Sequence, residues 1–144
     1  GISLSDPFCV DRHREDFRAL VSGPLDFFLC NEEELKSLYQ TEDLTVALAC
    51  GAEDCELVVC TRSSEGVSIC KGTRRWDVPV VPVKPVDATG AGDQFAAGFL
   101  YGLVQGFDLE ICGKIDGIAA GEVIGHIGPR PTTSILQMLK SQGI

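Results

Sequence analysis

Val86-Asp87-Ala88-Thr89-Gly90-Ala91-Gly92-Asp93-Gln94-Phe95-Ala96-Ala97-Gly98-Phe99 is the most informative stretch of the chain. Gly90, Ala91 and Gly92 are small enough for successive backbone amides to turn toward one point. A helix expected to begin around Gly92 adds its unpaired N–H groups and positive dipole end to that point. Such a nest stabilises negative charge developing on a transferred phosphoryl group. Asp93, in the first helical turn, can reach a hydroxyl beside the phosphate and accept its proton. An anion hole with a base in line is what phosphoryl transfer to an alcohol requires. On its own, Gly-Ala-Gly-Asp also reads as a common turn followed by an Asp that the dipole favours. A dinucleotide fingerprint would need glycine where Phe95 stands, and no Lys-Ser/Thr follows Gly92 to make a Walker A loop.

On the C-terminal side, the helix is expected to run to Val104 or Gln105. Asp108 caps a further helix to about Ile127. Gly128-Pro129-Arg130-Pro131 breaks it, and Thr132 or Thr133 caps a last helix to Leu139. On the N-terminal side, Trp76–Val83 alternates apolar residues with prolines and suits an edge strand. Glu56–Thr61 is a β-branched, apolar, buried strand, and Gly66–Cys70 pairs with it through a tight polar turn. Leu44–Cys50 reads as a helix closed by Gly51. Asn31-Glu32-Glu33-Glu34 opens another, through Leu38 or Tyr39, directly after the short apolar run Asp26–Cys30. Arg12–Val21 has helical spacing and stops at Ser22-Gly23-Pro24. Ile2–Leu4 reads as the tail of a buried strand running straight into Asp6-Pro7. That abrupt opening suggests a chain cut from something longer. Strands alternating with helices predict an α/β fold with a mainly parallel sheet and flanking helices. No repeat, low-complexity segment or linker divides the chain, so one domain is expected.

Twelve Lys and Arg stand against 21 Asp and Glu, a formal charge of −9. An acidic surface repels phosphate backbones and argues against nucleic acid as a partner. It does not forbid a nucleotide held by backbone amides. A hydrophobic share of 44% supports a real core. No apolar run approaches the ~18 residues of a membrane span, and no leader pattern opens the sequence, so no membrane partner is expected. Cys9, Cys30, Cys50, Cys55, Cys60, Cys70 and Cys112 are odd in number and form no C-x-x-C pair. They read as reduced core thiols of a cytoplasmic protein.

Asp87-Ala88-Thr89-Gly90-Ala91-Gly92-Asp93 resembles the D-T-x-G-A-G-D signature of the ribokinase-like (PfkB) carbohydrate and nucleoside kinases, with Ala88 in place of the usual Thr. The resemblance implies a three-layer, Rossmann-like ribokinase fold, truncated at its N-terminus. Residues 1–144 would be the C-terminal nucleotide-binding and catalytic portion of such a kinase. The N-terminal substrate and lid portion would be absent, and the isolated chain inactive. The implied activity of the parent protein is ATP-dependent phosphorylation of a hydroxyl on a sugar or nucleoside. Asp93 would be the catalytic base, and Gly90, Ala91 and Gly92 the anion hole. Asp87 and the carbonyl of Thr89 resemble ligands of the monovalent cation, K⁺, that organises this loop in many members. Further oxygens would come from Val123, His126, Gly128 and Thr132. Family members often form homodimers through the lid.

Asn31-x-x-Glu34 after a strand reads as a capping box. By resemblance it is also the N-x-x-E that helps hold Mg²⁺ and phosphate, with Asn31 on the nucleotide side and Glu34 on the metal side. Thr61-Arg62-Ser63-Ser64-Glu65-Gly66 reads as a polar hairpin turn. The family writes this place T-x-G-x-x-G along the nucleotide, and Ser63 replaces the first glycine. Gly117, Ala119, Ala120 and Gly121 allow either an adenine ring or a neighbouring helix to approach closely, and packing is the favoured reading. Ser5-Asp6-Pro7-Phe8 resembles the adenosine-kinase-like branch more than the sugar-kinase D-x-N pattern. The other class of function consistent with the sequence is a non-catalytic nucleotide-binding fragment or degraded kinase.

Overall fold

Short apolar runs bounded by caps and turns become the elements of a computed structural model that describes the whole chain, Gly1–Ile144. In chain order these are β1 (Ile2–Ser3), α1 (Pro7–Arg12), α2 (Arg14–Val21), β2 (Phe27–Asn31), α3 (Glu32–Tyr39), α4 (Leu44–Asp54), β3 (Leu57–Thr61), β4 (Val67–Lys71), β5 (Arg74–Val78), α5 (Ala91–Gln105), α6 (Leu109–Ile124) and α7 (Ile135–Ser141). The chain divides into two compact units, residues 1–63 with 67–77 and residues 64–66 with 78–144. No helix is long and apolar enough to cross a membrane.

The first unit is built on a five-stranded sheet in the order β1-β2-β3-β4-β5. The sheet is mixed. β1, β2 and β3 are parallel, whereas β4 turns back antiparallel to β3 through the short polar turn. Along β2, β3 and β4 alternate residues face one core: Phe28, Cys30, Val58, Cys60 and Cys70 pack with Val10, Phe17, Leu35, Leu38 and Leu48 from α1 to α4. The intervening Leu29, Val59 and Ile69 are buried as well. Strands buried on both faces need near-continuous apolar sequence, which is why F-F-L-C and L-V-V-C carry no polar alternation. All seven cysteines are free thiols, and Cys30, Cys55, Cys60, Cys70 and Cys112 are buried. Burial, followed by the neighbouring Cys60, pushes the Cys30 thiol well up, which suits a packing role.

In the second unit α5 and α6 approach through glycines. A Cβ on Gly98 would lie 2.8 Å from the Cα of Asp116, and one on Gly102 would lie 2.8 Å from the Cys112 Sγ. Behind this contact Ile115, Ile118 and Leu139 join Ile111, Ile135 and Met138 in a small α6–α7 core.

Five boundaries differ from the sequence reading. α4 runs through the buried Gly51 to Asp54 instead of closing at Gly51, which serves a close approach: a Cβ there would lie 3.2 Å from Val58 and 3.3 Å from Phe28. The helix expected over Arg12–Val21 forms as α2, Arg14–Val21, and a further helix, α1, precedes it over Pro7–Arg12. Asp6 accepts from the Cys9 amide at 2.9 Å and Pro7 occupies the first helical position, which is what starts α1. β5 stops at Val78 because Pro79, Pro82 and Pro85 cannot donate to a ladder. α6 ends at Ile124 with Gly125 as C-cap. α7 begins only at Ile135, with Ser134 as its extended N-cap, and the amides of Thr132 and Thr133 before it go to the Glu122 side chain.

Asp116 is 1% exposed in α6, and neither carboxylate oxygen has a hydrogen-bond partner. Burial pushes its carboxyl well above the usual aspartate range, against a smaller opposing pull from the Gly117 amide, which does not reach hydrogen-bond geometry. A carboxyl raised in the folded state retains its proton while the unfolded chain gives one up. Stability therefore falls as pH rises above ~4, where an ordinary aspartate ionises. Asp116→Asn should stabilise the chain by about 1–3 kcal/mol at pH 8 and by less at pH 5. Urea unfolding at the two pH values measures this. A variant less stable at pH 8 than at pH 5, relative to wild type, would mean that the carboxylate is partnered after all.

Candidate functional site

The turn into α5 is shaped by Gly90, its N-cap, which sits in the left-handed region at φ +82°. A Cβ there would be strained and would lie 2.6 Å from the Cβ of Pro129. With no side chain at the cap, the first helical amides receive no side-chain acceptor. The Ala91 amide turns back to the Ala88 carbonyl at 3.2 Å, and the first α-helical bond runs from Gln94 to the Gly90 carbonyl at 3.0 Å. By helix geometry the amides of Gly92 and Asp93 lie between these with no intrahelical acceptor. A Cβ built on Gly92 meets nothing within 4 Å, so this side of the loop is open space. Asp93 occupies the third helical position with its side chain exposed. The arrangement offers donors to an anion, with a carboxylate one turn away or less.

Asp87 fastens this loop from one side. Its Oδ1 accepts from the Thr89 amide at 2.9 Å and the Thr89 hydroxyl at 2.7 Å, and its Oδ2 accepts from the Gly128 amide at 3.0 Å. The Thr89 hydroxyl, then the Gly128 and Thr89 amides, hold its carboxyl down at about 2. Val86 and Asp87 donate to the Ile124 carbonyl at the end of α6, at 2.8 and 3.3 Å. The sequence-derived residues Asp87, Thr89, Gly90 and Gly128 therefore do meet in one loop pair.

Glu122 was not among the sequence candidates. Its Oε1 accepts from Thr132 N, Thr132 Oγ1 and Thr133 N at 3.0, 2.9 and 2.8 Å, and its Oε2 lies 3.2 Å from His126 Nε2. Burial alone would raise this carboxyl. The bonds from His126, Thr133 and Thr132 outweigh it and hold it down at about 2. The imidazole faces oxygen on both nitrogens, Glu122 and the Ile127 carbonyl, and its pKa is raised accordingly. One signal could have found Glu122: an acidic residue in the last turn of a helix opposes the dipole and needs another reason to be there. Val123 is buried, and its carbonyl accepts from the His126 amide at 3.4 Å.

In the first unit Asn31 and Glu34 form the complete capping box. Glu34 N donates to Asn31 Oδ1 at 2.9 Å, while Asn31 N and Nδ2 donate to the two Glu34 oxygens at 2.9 and 2.8 Å. Glu34 is 5% exposed. Burial raises its carboxyl against the bond from Asn31, with Asp6 adding to the rise. Asn31 and Thr61 are register partners at the carboxyl ends of β2 and β3, the end of a parallel sheet where ligands bind. Beyond Thr61, Arg62 lies 3.7 Å from Asp77 in an ion pair. Ser63 is at φ +52°, the left-handed geometry that a glycine would adopt freely. Ser64 and Glu65 are exposed in a 3-10 turn that closes at Gly66, whose φ is +93°. A Cβ on Gly66 would lie 2.1 Å from the Val78 carbonyl.

Of the small residues on α6, Gly117 faces Val80, whose Cγ1 would be 3.1 Å from a Cβ there. The recess formed by Pro79, Val80, Val81, Lys114, Gly117 and Ile118 has a volume of ≈ 50 Å³. That is room for little more than water, so Gly117 serves packing in this conformation. No group of three or more His, Cys, Asp or Glu residues is placed to hold a metal ion.

Comparison with known proteins adds an independent line. The pfkB family carbohydrate kinase profile matches residues 2–135. The adenosine kinase structure from Sinorhizobium meliloti is 45% identical with a TM-score of 0.94, over 97% of this chain and 43% of that one. An Arabidopsis thaliana ribokinase structure complexed with ribose and ATP is 28% identical with a TM-score of 0.75, over 85% of this chain and 43% of that one. An uncharacterized sugar kinase of Archaeoglobus fulgidus is 42% identical over 103 residues, 72% of this chain and 41% of the relative. The chain thus spans about two fifths of the length of the relatives it matches.

The two glycines of the loop should respond differently. Gly90→Ala meets both the left-handed φ and Pro129 and should cost at least about 1–2 kcal/mol. Gly92→Ala places a methyl group in open space in the first helical turn and should be neutral or stabilising by up to about 1 kcal/mol. Thermal unfolding of the two variants is the check; a destabilised Gly92→Ala would show that its surroundings are not open.

Proposed function

Because the chain belongs to the pfkB family of carbohydrate kinases, we propose that it carries the phosphate-binding loop and general base of an ATP-dependent kinase acting on a sugar or nucleoside hydroxyl. The observation that carries this reading is the start of α5: Gly90 at φ +82°, the Gly92 and Asp93 amides without intrahelical acceptors, open space at Gly92, and the exposed Asp93 carboxylate. In the reaction the acceptor oxygen bonds to the γ-phosphorus as the bond to the ADP oxygen breaks. Asp93 takes the hydroxyl proton, and the amides of the Gly90–Gly92 turn stabilise the charge on the phosphoryl oxygens in transit.

Nucleotide contacts are proposed for Asn31 and the Thr61–Gly66 turn on the family resemblance, and separately for the Gly92 and Asp93 amides on the geometry of the start of α5. Ser63 retains the left-handed backbone, so the departure from the family's glycine leaves the course of the turn intact. A Mg²⁺ ion bound with the nucleotide would neutralise phosphate charge. A Glu34 carboxylate reached through water suits an ion that keeps most of its water shell and takes its other oxygens from phosphate. Glu34 is committed to Asn31 through one bond on each oxygen, which leaves lone pairs for such a water. For a monovalent cation, one carboxylate and a ring of neutral oxygens is a fitting donor set. Asp87 Oδ1 already accepts two hydrogen bonds and Oδ2 only one, so Oδ2 has capacity for a cation, with further oxygens drawn, on the family resemblance, from Thr89, Val123, His126, Gly128 and Thr132, mostly carbonyls.

We place the chain as the C-terminal nucleotide-binding portion of a kinase whose remaining part grips the acceptor. A second reading is a non-catalytic nucleotide-binding chain or degraded kinase, motivated by Ser63, whose side chain stands where the family has a glycine.

ATP-dependent phosphorylation is the test, with adenosine, cytidine, ribose and fructose as acceptors, on this chain and on any longer polypeptide that contains it. Activity on one acceptor should fall by on the order of 10²–10⁴ in Asp93→Asn. Undiminished activity in that variant would remove Asp93 as the base. ATP binding without turnover in the longest polypeptide would establish the second reading.

A further inference from the structure

No hydrogen bond of Glu122 goes to the Gly90–Asp93 turn, yet one carboxylate holds both ends of the segment that supports it. At the near end it pairs with His126 at 3.2 Å; at the far end it takes three donors from Thr132 and Thr133 at 2.8–3.0 Å. Its side chain is 6% exposed. Residues 126–133 are thereby closed into a strap at the end of α6. The strap meets the phosphate loop at two points. The Gly128 amide donates to Asp87 Oδ2, and Pro129 stands where a Cβ on Gly90 would be 2.6 Å from its own Cβ.

We infer that Glu122 is a positioning residue for the proposed phosphate site: by clamping the 126–133 strap it fixes Asp87 and Gly90, and through them the direction of the Gly92 and Asp93 amides. This rests on the reading of that turn as the phosphate site. The physical ground is the cost of the alternative. Without the carboxylate, three donors and an imidazole lose a charge-assisted acceptor; Thr132 and Thr133 are exposed, so water can take the acceptor's place there and nothing then holds the two ends of the strap together. A loop held at a positive φ by contacts on its outside has no local reason to keep that geometry once the contacts move. The competing role is narrower, in that Glu122 would only finish the C-terminus of α6.

The two roles separate in residue-resolved amide hydrogen exchange of the full 144-residue chain. In Glu122→Leu, exchange should quicken by on the order of tenfold or more at Gly128 and also at Thr89, Ala91 and Gln94, whose amides are bonded within the loop, while β2 amides keep their wild-type rates. Glu122→Gln retains the Oε1 acceptor and should stay within about threefold of wild type. The dissociation constant for MgATP should rise roughly tenfold in Glu122→Leu and little in Glu122→Gln. Faster exchange in the strap with wild-type rates at Thr89, Ala91 and Gln94 would overturn the inference. Should Glu122→Leu unfold throughout, Thr132→Val removes one donor alone; it should move the same loop amides to a smaller degree, and unchanged loop amides there would equally overturn it. If wild-type chain binds no MgATP, the phosphate-site reading fails by itself, and the exchange comparison still decides what Glu122 positions.

Discussion

The left-handed backbone of Gly90 is the constraint on which the rest of the second unit's loop structure depends. A helix can offer unpaired amides to a ligand only if its cap brings no acceptor of its own and turns the chain sharply enough to leave them pointing outward. Glycine meets both demands, because it has no side chain to cap with and no Cβ to oppose φ +82°. That freedom must then be removed from outside. Pro129 closes on the Cβ-less face of Gly90, and Asp87 joins the loop's own Thr89 to Gly128 across 41 residues of chain. The result is a turn whose flexibility in isolation is replaced by contacts from a distant segment.

The same division of labour recurs in the first unit, with opposite polarity. There the Asn31–Glu34 box satisfies its own helix end through three hydrogen bonds, so the start of α3 needs no ligand to be stable. Its placement at the carboxyl ends of parallel strands comes from register: Asn31 stands beside Thr61 because Phe27 stands beside Leu57. A single residue of slip would send the Phe28 and Cys30 side chains to the opposite face. The buried apolar alternation of β2 and β3 therefore determines where the polar ends fall, and the buried thiols belong to that packing.

Much of this was readable along the chain because it is local. A strand followed at once by N-x-x-E, a glycine pair before a carboxylate, and an Asp before an apolar helical run each carry their physical cause within four residues. The capping box, the start of α5, the Asp108 cap of α6 and the β3–β4 turn all have that character. The boundaries that moved have non-local or competing causes. α7 follows a segment whose Thr132 amide is tied to Glu122, ten residues upstream, a partner that no local pattern announces. α1 escapes the sequence reading because an Asp-Pro pair can open a loop as readily as it can cap a helix.

By itself the sequence determined the class of fold, the polar helix starts and the loop that carries Asp93, since these follow from residue size, φ preference and period. Only the tertiary structure decided which distant groups hold that loop in place: Pro129 against Gly90, Gly128 on Asp87, and Glu122 across the strap. The reason is physical. A carboxylate's partners are chosen by which donors burial brings within about 3 Å of it; the place of Glu122 in the last turn of α6 marks it as unusual, but its partners exist only once the strap has folded back over it.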